Sequence, residues 1–419
     1  MRDLLYLSHR VPFPPDKGDK IRSYHALTYL AQRFKIHLGC FVDDTDDEEH
    51  LPALRALCET LHAVPLKRRG GLVRGLCGFA TGASFSENYF RDARMSSWVA
   101  GTMHRVRPKT IFVYSSAMAP YAMPYRSAHC VIADMVDVDS QKWLAYGARA
   151  LWPMSFAYRL ESRRLLSLER GAALAFDHCL FVSRAEAETF LRLVPEAADR
   201  VACYENGVDL DYFDPRHSFP SPFDEDRQAI VFTGTMNYRP NIDAAEWFAL
   251  HVLPSVRAVK PQAEFWIVGN HPAARVVRLS QLPSVHVTGR VQDVRPYLAH
   301  AACIVAPLQI ARGVQNKILE AMAMAKPLVA TPQAQEGIHA ISGEDLLLAE
   351  APSAFSDAVT SILDGRHPGL GSRARKYVEA NHDWTRTLKT LDTFLGEPSP
   401  SLLHEREVPY ADTDNSIAR

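Results

Sequence analysis

The segment 303–331, CIVAPLQIARGVQNKILEAMAMAKPLVAT, constrains the fold more than any other part of the sequence. It predicts two strands of continuous apolar residues, at 303–308 and 327–331, with a helix between them at 313–325. Continuous apolar strands joined through a helix are typical of a parallel sheet that is buried on both faces. Strand and helix alternate along most of the remaining chain, so we predict an α/β protein built on parallel sheets.

One face of this predicted helix is polar. Its residues fall at spacings of three, four and seven: Gly313, Asn316, Lys317 and Glu320. Free N–H groups and the helix dipole attract phosphate to such an end, and Arg312 and Lys317 add positive charge beside it. Glu320, further along the helix, suits hydrogen bonds from a vicinal diol such as ribose. Phosphate and diol together describe a nucleotide, although a surface helix with an ordinary Lys317/Glu320 charge pair explains the same spacing.

Length and composition limit which kinds of protein this chain can be. A chain of 419 residues with 47% apolar residues is long enough for two or three domains. The net charge of −1 gives no excess of positive charge that would favour nucleic acid as a partner. The seven cysteines form no CxxC pair, and four of them adjoin apolar strand-like runs, which predicts reduced thiols and a cytoplasmic location. No stretch approaches the ~18 apolar residues of a membrane span.

The sequence divides where its composition changes. A turn at Glu205-Asn206-Gly207, in which the Asn-Gly pair can adopt positive φ, is followed by a segment rich in Pro, Ser and Asp without apolar periodicity. We predict a first domain at 1–213, a linker at 214–228, a second domain at 229–382, a last helix at 383–396 and a disordered tail at 397–419.

Two glycines follow predicted strands and are candidates for close approach of a ligand. Gly18 is the only glycine of a proline-rich loop, so the G-x-G-x-x-G pattern of dinucleotide sites is missing and a dehydrogenase is disfavoured. Gly18 is a candidate for holding phosphate or sugar, and a proline-stiffened turn is the alternative. Gly234 follows the first strand of the second domain, with Arg239 nearby as a candidate phosphate clamp and Asn241 as a candidate helix cap.

Three carboxylates lie near the carboxyl end of another predicted strand, where open α/β sheets place ligands. They are Asp134, Asp137 and Asp139. Hard cations favour carboxylates, but the sequence offers no third ligand beside the Asp137/Asp139 pair. A metal site, a catalytic or acceptor-orienting carboxylate and a helix cap therefore stay open as interpretations.

Two basic segments of the first half are candidates for surface contacts. Residues 67–79 mix four cations with apolar residues and glycines, which fits either peripheral contact with an anionic membrane or a flexible solvated loop. Residues 158–170 carry four arginines partly balanced by two glutamates, and we predict a helix with a solvated face there rather than a binding surface.

Several stretches together resemble the GT-B glycosyltransferases of family 4. They are the proline-rich loop with Gly18, CLFVSRAEAETF at 179–190, YENGVDLDYFDP at 204–215, FTGTMNYRPNIDA at 232–244 and KILEAMAMAKPLVAT at 317–331. More narrowly, DVDSQKW and ARGVQNKILEAMAMA are similar to the sugar transferases associated with bacterial exopolysaccharide and PEP-CTERM/exosortase systems. The resemblance implies two Rossmann-like domains facing each other across a cleft.

The resemblance also implies an activity. A sugar would pass from a nucleotide sugar on the second domain to a glycan or lipid-linked acceptor on the first, with retained anomeric configuration and no essential metal or other cofactor. The last helix would cross back to the first domain. By resemblance, Arg239 and the helix end at Gly313 would hold the diphosphate, Lys317 would add charge and Glu320 would bind the ribose. Gly18, Gly234, Arg312 and Asn316 complete the candidates for donor binding, and Asp137, Arg239 and Lys317 are the candidates for catalysis.

The sequence departs from the family pattern at two places. Family 4 enzymes usually carry a glutamate eight positions before the second one, and Arg312 occupies that place here. Arg312 then either supplies a phosphate contact or pairs with an acidic donor sugar. Many members have a histidine where this chain offers Asp137 and Asp139, and we predict that Asp137 faces the reacting centre. A nucleotide-sugar epimerase and a catalytically silent nucleotide-sugar-binding protein are the alternatives to a transferase.

Overall fold

Buried apolar strands form two separate parallel sheets in the computed structural model, which describes residues 1–15, 18–311 and 313–395. The first sheet has seven strands and the second has six, and every pairing between the named strands is parallel. This confirms the predicted α/β class. Arg312 and the predicted tail at 397–419 lie outside the described residues.

The first domain is built on the seven-stranded sheet, in the spatial order β3-β2-β1-β4-β5-β6-β7. Its strands are β1 (Arg2–Ser8), β2 (Phe34–Val42), β3 (Thr60–Pro65), β4 (Thr110–Tyr114), β5 (Cys130–Val136), β6 (His178–Phe181) and β7 (Val201–Cys203). Its helices are α1 (Gly18–Ala31), α2 (Leu51–Leu57), α3 (Arg68–Thr81), α4 (Phe85–Tyr89), α5 (Ala93–Arg105), α6 (Ala119–Ala122), α7 (Asp139–Arg149), α8 (Met154–Ala175) and α9 (Arg184–Leu193).

Both faces of this sheet are covered. Leu5 and Leu7 of β1 belong to one apolar cluster, whereas Leu4 and Tyr6 belong to another. Since successive side chains of a strand point to opposite faces, the two clusters lie on opposite sides of the sheet. This explains why the strand is a continuous apolar run rather than an alternating one.

The second domain is built on the six-stranded sheet, in the order β10-β9-β8-β11-β12-β13. Its strands are β8 (Gln228–Thr233), β9 (Ala263–Val268), β10 (Val285–Gly289), β11 (Cys303–Ala306), β12 (Leu328–Ala330) and β13 (Leu347–Leu348). Its helices are α10 (Arg239–Trp247), α11 (Leu253–Val259), α12 (Ala274–Leu279), α13 (Arg295–His300), α14 (Asn316–Ala323), α15 (Pro352–Leu363) and α16 (Leu370–Asn381).

The end of the described chain packs on the first domain. A short helix, α17 (Trp384–Thr387), continues into a 3-10 turn at Leu388–Thr393, and Trp384, Leu388 and Leu391 join the apolar cluster of β1 and α1. Tyr29 Oη on α1 donates a hydrogen bond of 2.7 Å to the Asp392 carboxylate. The single helix expected at 383–396 is therefore two shorter elements.

Two local predictions differ from the structure, and one strand was not predicted. The segment at 67–79, for which a solvated loop was one interpretation, lies in helix α3. Strand β3 was not predicted from the sequence, and most of its residues are only half-buried. The helix of the 303–331 unit begins at Asn316 rather than at Gly313. None of the described helices is both long enough and apolar enough to cross a membrane.

Candidate active site

The loop between β11 and α14 brings the two domains together. Gly313 in this loop has φ +64°, a left-handed conformation that favours glycine. A side chain at this position would also overlap the Asp137 carboxylate of the first domain and lie 3.2 Å from Val182. Gly313 therefore belongs to the turn before the helix and not to the helix face, and glycine is required there for two reasons.

Lys317 reaches from α14 across the carboxyl end of β8. Its Nζ donates a hydrogen bond of 2.6 Å to Asn241 Oδ1 and lies 4.5 Å from the centroid of the Phe232 ring. A side-chain carbon at Gly234 would lie 3.0 Å from the same Nζ, so only glycine leaves the ammonium group this position. Burial lowers the pKa of Lys317 to about 7, and the Glu320 carboxylate opposes that shift.

Glu320 lies one turn further along α14 and is half-buried. Within residues 1–15, 18–311 and 313–395, its carboxylate forms no hydrogen bond or ion pair. Burial raises the pKa of Glu320 to about 7, because the charged form loses solvation, and the nearby Lys317 ammonium group opposes that shift. A carboxylate in this state is available to accept hydrogen bonds from a ligand.

Asp137 faces this helix start from the first domain. It follows β5, and the next backbone N–H, that of Val138, donates a hydrogen bond of 2.8 Å to Glu186 on α9. Burial raises the pKa of Asp137 to about 7, and the neighbouring Glu186 carboxylate raises it further. Asp139 instead forms an ion pair of 3.3 Å with Lys142. Of the two predicted acids, Asp137 is the one held against the second domain at Gly313.

A buried polar network supports the first domain's side of the crevice, and sequence reasoning missed it. Arg22 is fully buried on α1 and forms an ion pair of 2.8 Å with Asp134, two residues before the end of β5. Its guanidinium group lies 3.5 Å from the centroid of the Tyr204 ring, and the Tyr204 hydroxyl donates a hydrogen bond to Asp134. A buried charge pair needs such additional partners to offset its loss of solvation.

Asn206 joins this network to the second domain. Its Oδ1 accepts a hydrogen bond of 2.9 Å from Arg22, and its Nδ2 donates one of 3.0 Å to Asn316 Oδ1 at the start of α14. Its backbone oxygen lies 2.9 Å from Nδ1 of buried His382. Three parts of the chain that are distant in sequence therefore meet at one asparagine.

The turn at Asn206-Gly207 serves packing rather than a left-handed conformation. Neither residue has positive φ, contrary to what the dipeptide predicted. A side chain at position 207 would lie 2.6 Å from the backbone nitrogen of Trp384, so glycine allows α17 to approach. The dipeptide correctly indicated an irregular segment, but its conformation depends on this distant contact.

The other residues that were predicted to belong to the site lie on several elements. Gly18 begins α1, and a side-chain carbon there would lie 3.7 Å from Nδ2 of Asn316, so these two residues face each other. Arg239 is exposed at the start of α10 and forms an ion pair of 3.6 Å with Asp243. Asn241 is no cap, because α10 begins two residues earlier and its Nδ2 donates to the Thr235 carbonyl. Arg312 lies outside the described residues.

A metal site was one interpretation of the Asp137/Asp139 pair. In the part of the chain that the structure describes, no group of three or more His, Cys, Asp or Glu side chains is arranged to hold a metal ion. The described residues instead combine Lys317, half-buried Glu320, the start of α14 and Asp137 from the other domain. Such a combination suits an anionic ligand that carries hydroxyl groups.

Known proteins resemble this chain in part of its sequence and in its fold. Residues 227–365 match the family model described as glycosyl transferases group 1. The fold is similar to sucrose-phosphate synthase from Thermosynechococcus elongatus, with a TM-score of 0.67, 17% identity and coverage of 94% of this chain and 98% of that chain. For Anabaena HepE in complex with UDP and glucose, the TM-score is 0.67, the identity 14% and the coverage 94% and 99%.

A third similar structure is WaaG, a glycosyltransferase involved in lipopolysaccharide biosynthesis, with a TM-score of 0.65, 13% identity and coverage of 94% and 100%. No curated protein sequence matches the chain. At these identities the structural likenesses establish the fold, and the matched segment contains Gly234, Lys317 and Glu320. The chain therefore has the GT-B fold, and residues 227–365 of its second domain match the glycosyl transferases group 1 model.

Proposed function

We propose that the chain transfers a sugar, with retention of anomeric configuration, from a nucleotide sugar to a glycan or lipid-linked acceptor in exopolysaccharide biosynthesis. The observation that carries this proposal is the pairing of half-buried Lys317 and Glu320 on α14, with Gly313 of the preceding loop held against Asp137 of the first domain. A structural neighbour from Anabaena was solved in complex with UDP-glucose, which supports a nucleotide sugar as the class of donor. Family 4 membership and the PEP-CTERM association belong to the same proposal.

In this proposal the donor diphosphate binds at the start of α14. Lys317 Nζ lies beside that position, and Gly234 leaves space next to the ammonium group. The N–H groups at a helix start add to the attraction for phosphate. Glu320 then accepts hydrogen bonds from the ribose hydroxyls. The distance along α14 between these two side chains is about one helical turn, or ~5 Å, which suits neighbouring parts of one nucleotide.

Catalysis in this proposal is mainly electrostatic. As the bond between the anomeric carbon and the phosphate breaks, negative charge develops on the leaving diphosphate and the sugar becomes oxocarbenium-like. Lys317 and the backbone N–H groups stabilise that charge, and loss of one such donor typically costs about 10²-fold in rate. No step requires a metal ion or another cofactor, since the protein's own cation and amides face the leaving group.

Asp137 faces the reacting centre from the acceptor side. Its pKa of about 7 lets it exist in both protonation states near neutral pH, which suits a group that contacts the acceptor hydroxyl or the developing cation. Arg239 is exposed at the start of α10 and ion-paired with Asp243, and it keeps its proposed diphosphate contact beside that of Lys317. Arg312 keeps its proposed role, a phosphate contact or a partner for an acidic sugar, on its sequence position alone.

The test begins with the donor. A thermal-shift screen across UDP, GDP, ADP and CMP sugars identifies the nucleotide, because a ligand that binds the folded state raises its apparent stability. With that donor and an acceptor pool, Asp137→Asn should lower turnover by at least about 10²-fold with little change in donor affinity. Asp139→Asn, two residues away and paired with Lys142, is the matched control. A normal rate in Asp137→Asn overturns the assignment.

The same experiment separates the alternatives. NMR of the nucleotide sugar incubated without acceptor would reveal epimerisation, and binding without any transfer product would reveal a silent binding protein. We also propose a cytoplasmic location at the inner face of the membrane, since all seven cysteines are free thiols and nucleotide sugars are the donors.

A further inference from the structure

The connection between α7 and α8 carries apolar side chains that are unusually exposed. Leu151 is 87% exposed and Trp152 is 83% exposed, and Phe156 and Met154 follow at 64% and 47%. Single exposed apolar residues are ordinary on a protein surface, but four within six positions form a patch. Such a patch indicates contact with another apolar surface.

Helix α3 presents a second exposed apolar face. Leu72, Val73 and Leu76 are 42%, 60% and 65% exposed. The opposite face of α3 is fixed, because side chains at Gly71 and Gly75 would overlap the rings of Tyr89 and Phe85 on α4. The helix is therefore packed through its glycines, and its larger apolar residues point away from the protein.

The two elements adjoin each other on the first domain. Arg164 on α8 donates a hydrogen bond of 2.7 Å to the Phe79 carbonyl of α3, and its guanidinium group lies 4.5 Å from the centroid of the Phe79 ring. Glu161 on α8 accepts hydrogen bonds from the backbone N–H groups of Phe85 and Ser86 at the start of α4. We call residues 67–77 and 149–163 together the α3/α8 surface.

The charges of the α3/α8 surface are almost all positive on the outside. Helix α3 contains no acidic residue, and the two glutamates of α8, Glu161 and Glu169, are only 3% and 2% exposed. Among the side chains whose burial the structure describes, the exposed charges are Lys67, Arg69, Arg149, Arg159 and Arg163. In the described ranges, with their gaps at 16–17, 312 and 396–419, none of these five cations forms an ion pair. The face of α8 that was predicted to be solvated is therefore exposed and cationic at Arg159 and Arg163.

We propose that the α3/α8 surface docks on an anionic phospholipid bilayer, with the apolar side chains at the boundary between headgroups and acyl chains. The unbalanced cations match a negatively charged surface, and an exposed tryptophan is typical of membrane interfaces. None of the described helices could span a membrane, so this contact is peripheral. The inference deepens the acceptor side of the proposed function, since a lipid-linked acceptor lies in such a surface, and it extends the expected contact at 67–79 to α8.

Vesicle co-sedimentation of the full chain tests this inference, and it requires neither donor nor acceptor, so it fails independently of the proposed activity. We expect the wild type to bind vesicles of phosphatidylcholine with 30% phosphatidylglycerol at least about 10-fold more tightly than pure phosphatidylcholine vesicles. Trp152→Asp should lower binding about 10-fold, and Arg159→Ala and Arg163→Ala about 5-fold each. These residues are exposed, and thermal melts identify any variant that fails to fold.

The controls lie on the second domain. Val259→Asp replaces an apolar residue that is 65% exposed, and Arg278→Ala removes an exposed cation, so both should bind vesicles like the wild type. Equal binding to charged and neutral vesicles, or wild-type binding by Trp152→Asp, would overturn the inference. So would a stable dimer in solution that Trp152→Asp dissociates, because a second copy would then cover the surface.

Discussion

At the scale of single residues, the site depends on two charged groups that are held with few partners. Lys317 and Glu320 both have pKa values near 7, one lowered and one raised, and burial is the main cause for each. Proteins rarely keep such groups partly buried without a function for them. A bound nucleotide would supply the missing charge and hydrogen bonds.

The two pKa values predict how donor affinity depends on pH. Above pH 7 Lys317 loses its proton and with it the charge that attracts diphosphate, whereas below pH 7 Glu320 gains a proton and becomes a poorer acceptor for ribose hydroxyls. Affinity for the nucleotide sugar should therefore be highest near pH 7 and fall on either side by up to about tenfold per pH unit.

Two substitutions test the high-pH and the low-pH side of this dependence separately. The measurement is donor affinity by isothermal titration calorimetry at several pH values. Lys317→Arg should keep its affinity above pH 7, because a guanidinium group stays charged. Glu320→Gln should keep the acceptor oxygen below pH 7. An unchanged profile in both variants would mean that neither group contacts the donor.

Removal of the Lys317 charge tests its role in turnover. Lys317→Met should lower kcat about 10²-fold, because one cation facing the leaving diphosphate is lost. Lys376→Met removes an exposed lysine of α16 and serves as the matched control. If the kcat of Lys317→Met stayed within a factor of two of the control's, the lysine would have no part in stabilising the leaving group.

At the scale of elements, the loop before α14 is shaped by its contact with the first domain. Gly313 and Gly343 both have positive φ, +64° and +88°, but only Gly313 has the Asp137 carboxylate against it, and the space at Gly343 is open. Both changes to alanine should cost about 1–2 kcal/mol through backbone strain. Chemical denaturation should reveal a larger loss for Gly313→Ala, which Asp137→Ala should partly restore. Equal losses for the two glycine variants would contradict the close contact.

A second prediction at this scale concerns the hydrogen bond between Asn206 and Asn316, which joins the two domains. Asn206 and Asn316 should show a coupling energy of about 0.5–1.5 kcal/mol in a double-mutant cycle of alanine variants. Asn206→Ala should destabilise more than Asn316→Ala, because it also removes a partner of buried Arg22. Additive effects would mean that the hydrogen bond between the domains does not form in solution.

The sequence predicts the elements better than their ends and their contacts. The strand–helix–strand unit follows from its apolar pattern, and Lys317, Glu320 and Gly234 lie together as expected because parallel strands end at one edge of a sheet. The helix start was placed at Gly313 since glycine fits the spacing of the polar face, and spacing carries no information about φ. The Arg22 network was not predictable, because its partners lie 112 to 184 residues away in sequence.

At the scale of the whole molecule, the two domains meet around the candidate site. Asp137 lies against Gly313, and a side-chain carbon at Gly337 would lie 3.5 Å from Ser183 of the first domain. An exposed ion pair of 3.7 Å between Arg290 and Asp46 crosses the same boundary. A diphosphate at the start of α14 therefore requires the domains to separate and then close, which would exclude water from the reaction.

The most direct test of this account is a crystal structure of the full chain with the nucleotide sugar that stabilises it most. We predict the diphosphate within hydrogen-bond distance of Lys317 Nζ and the N–H groups at the start of α14, the ribose hydroxyls on Glu320, and the sugar toward Asp137. A diphosphate bound elsewhere, with the start of α14 still covered by Asn206 and Gly18, would contradict it.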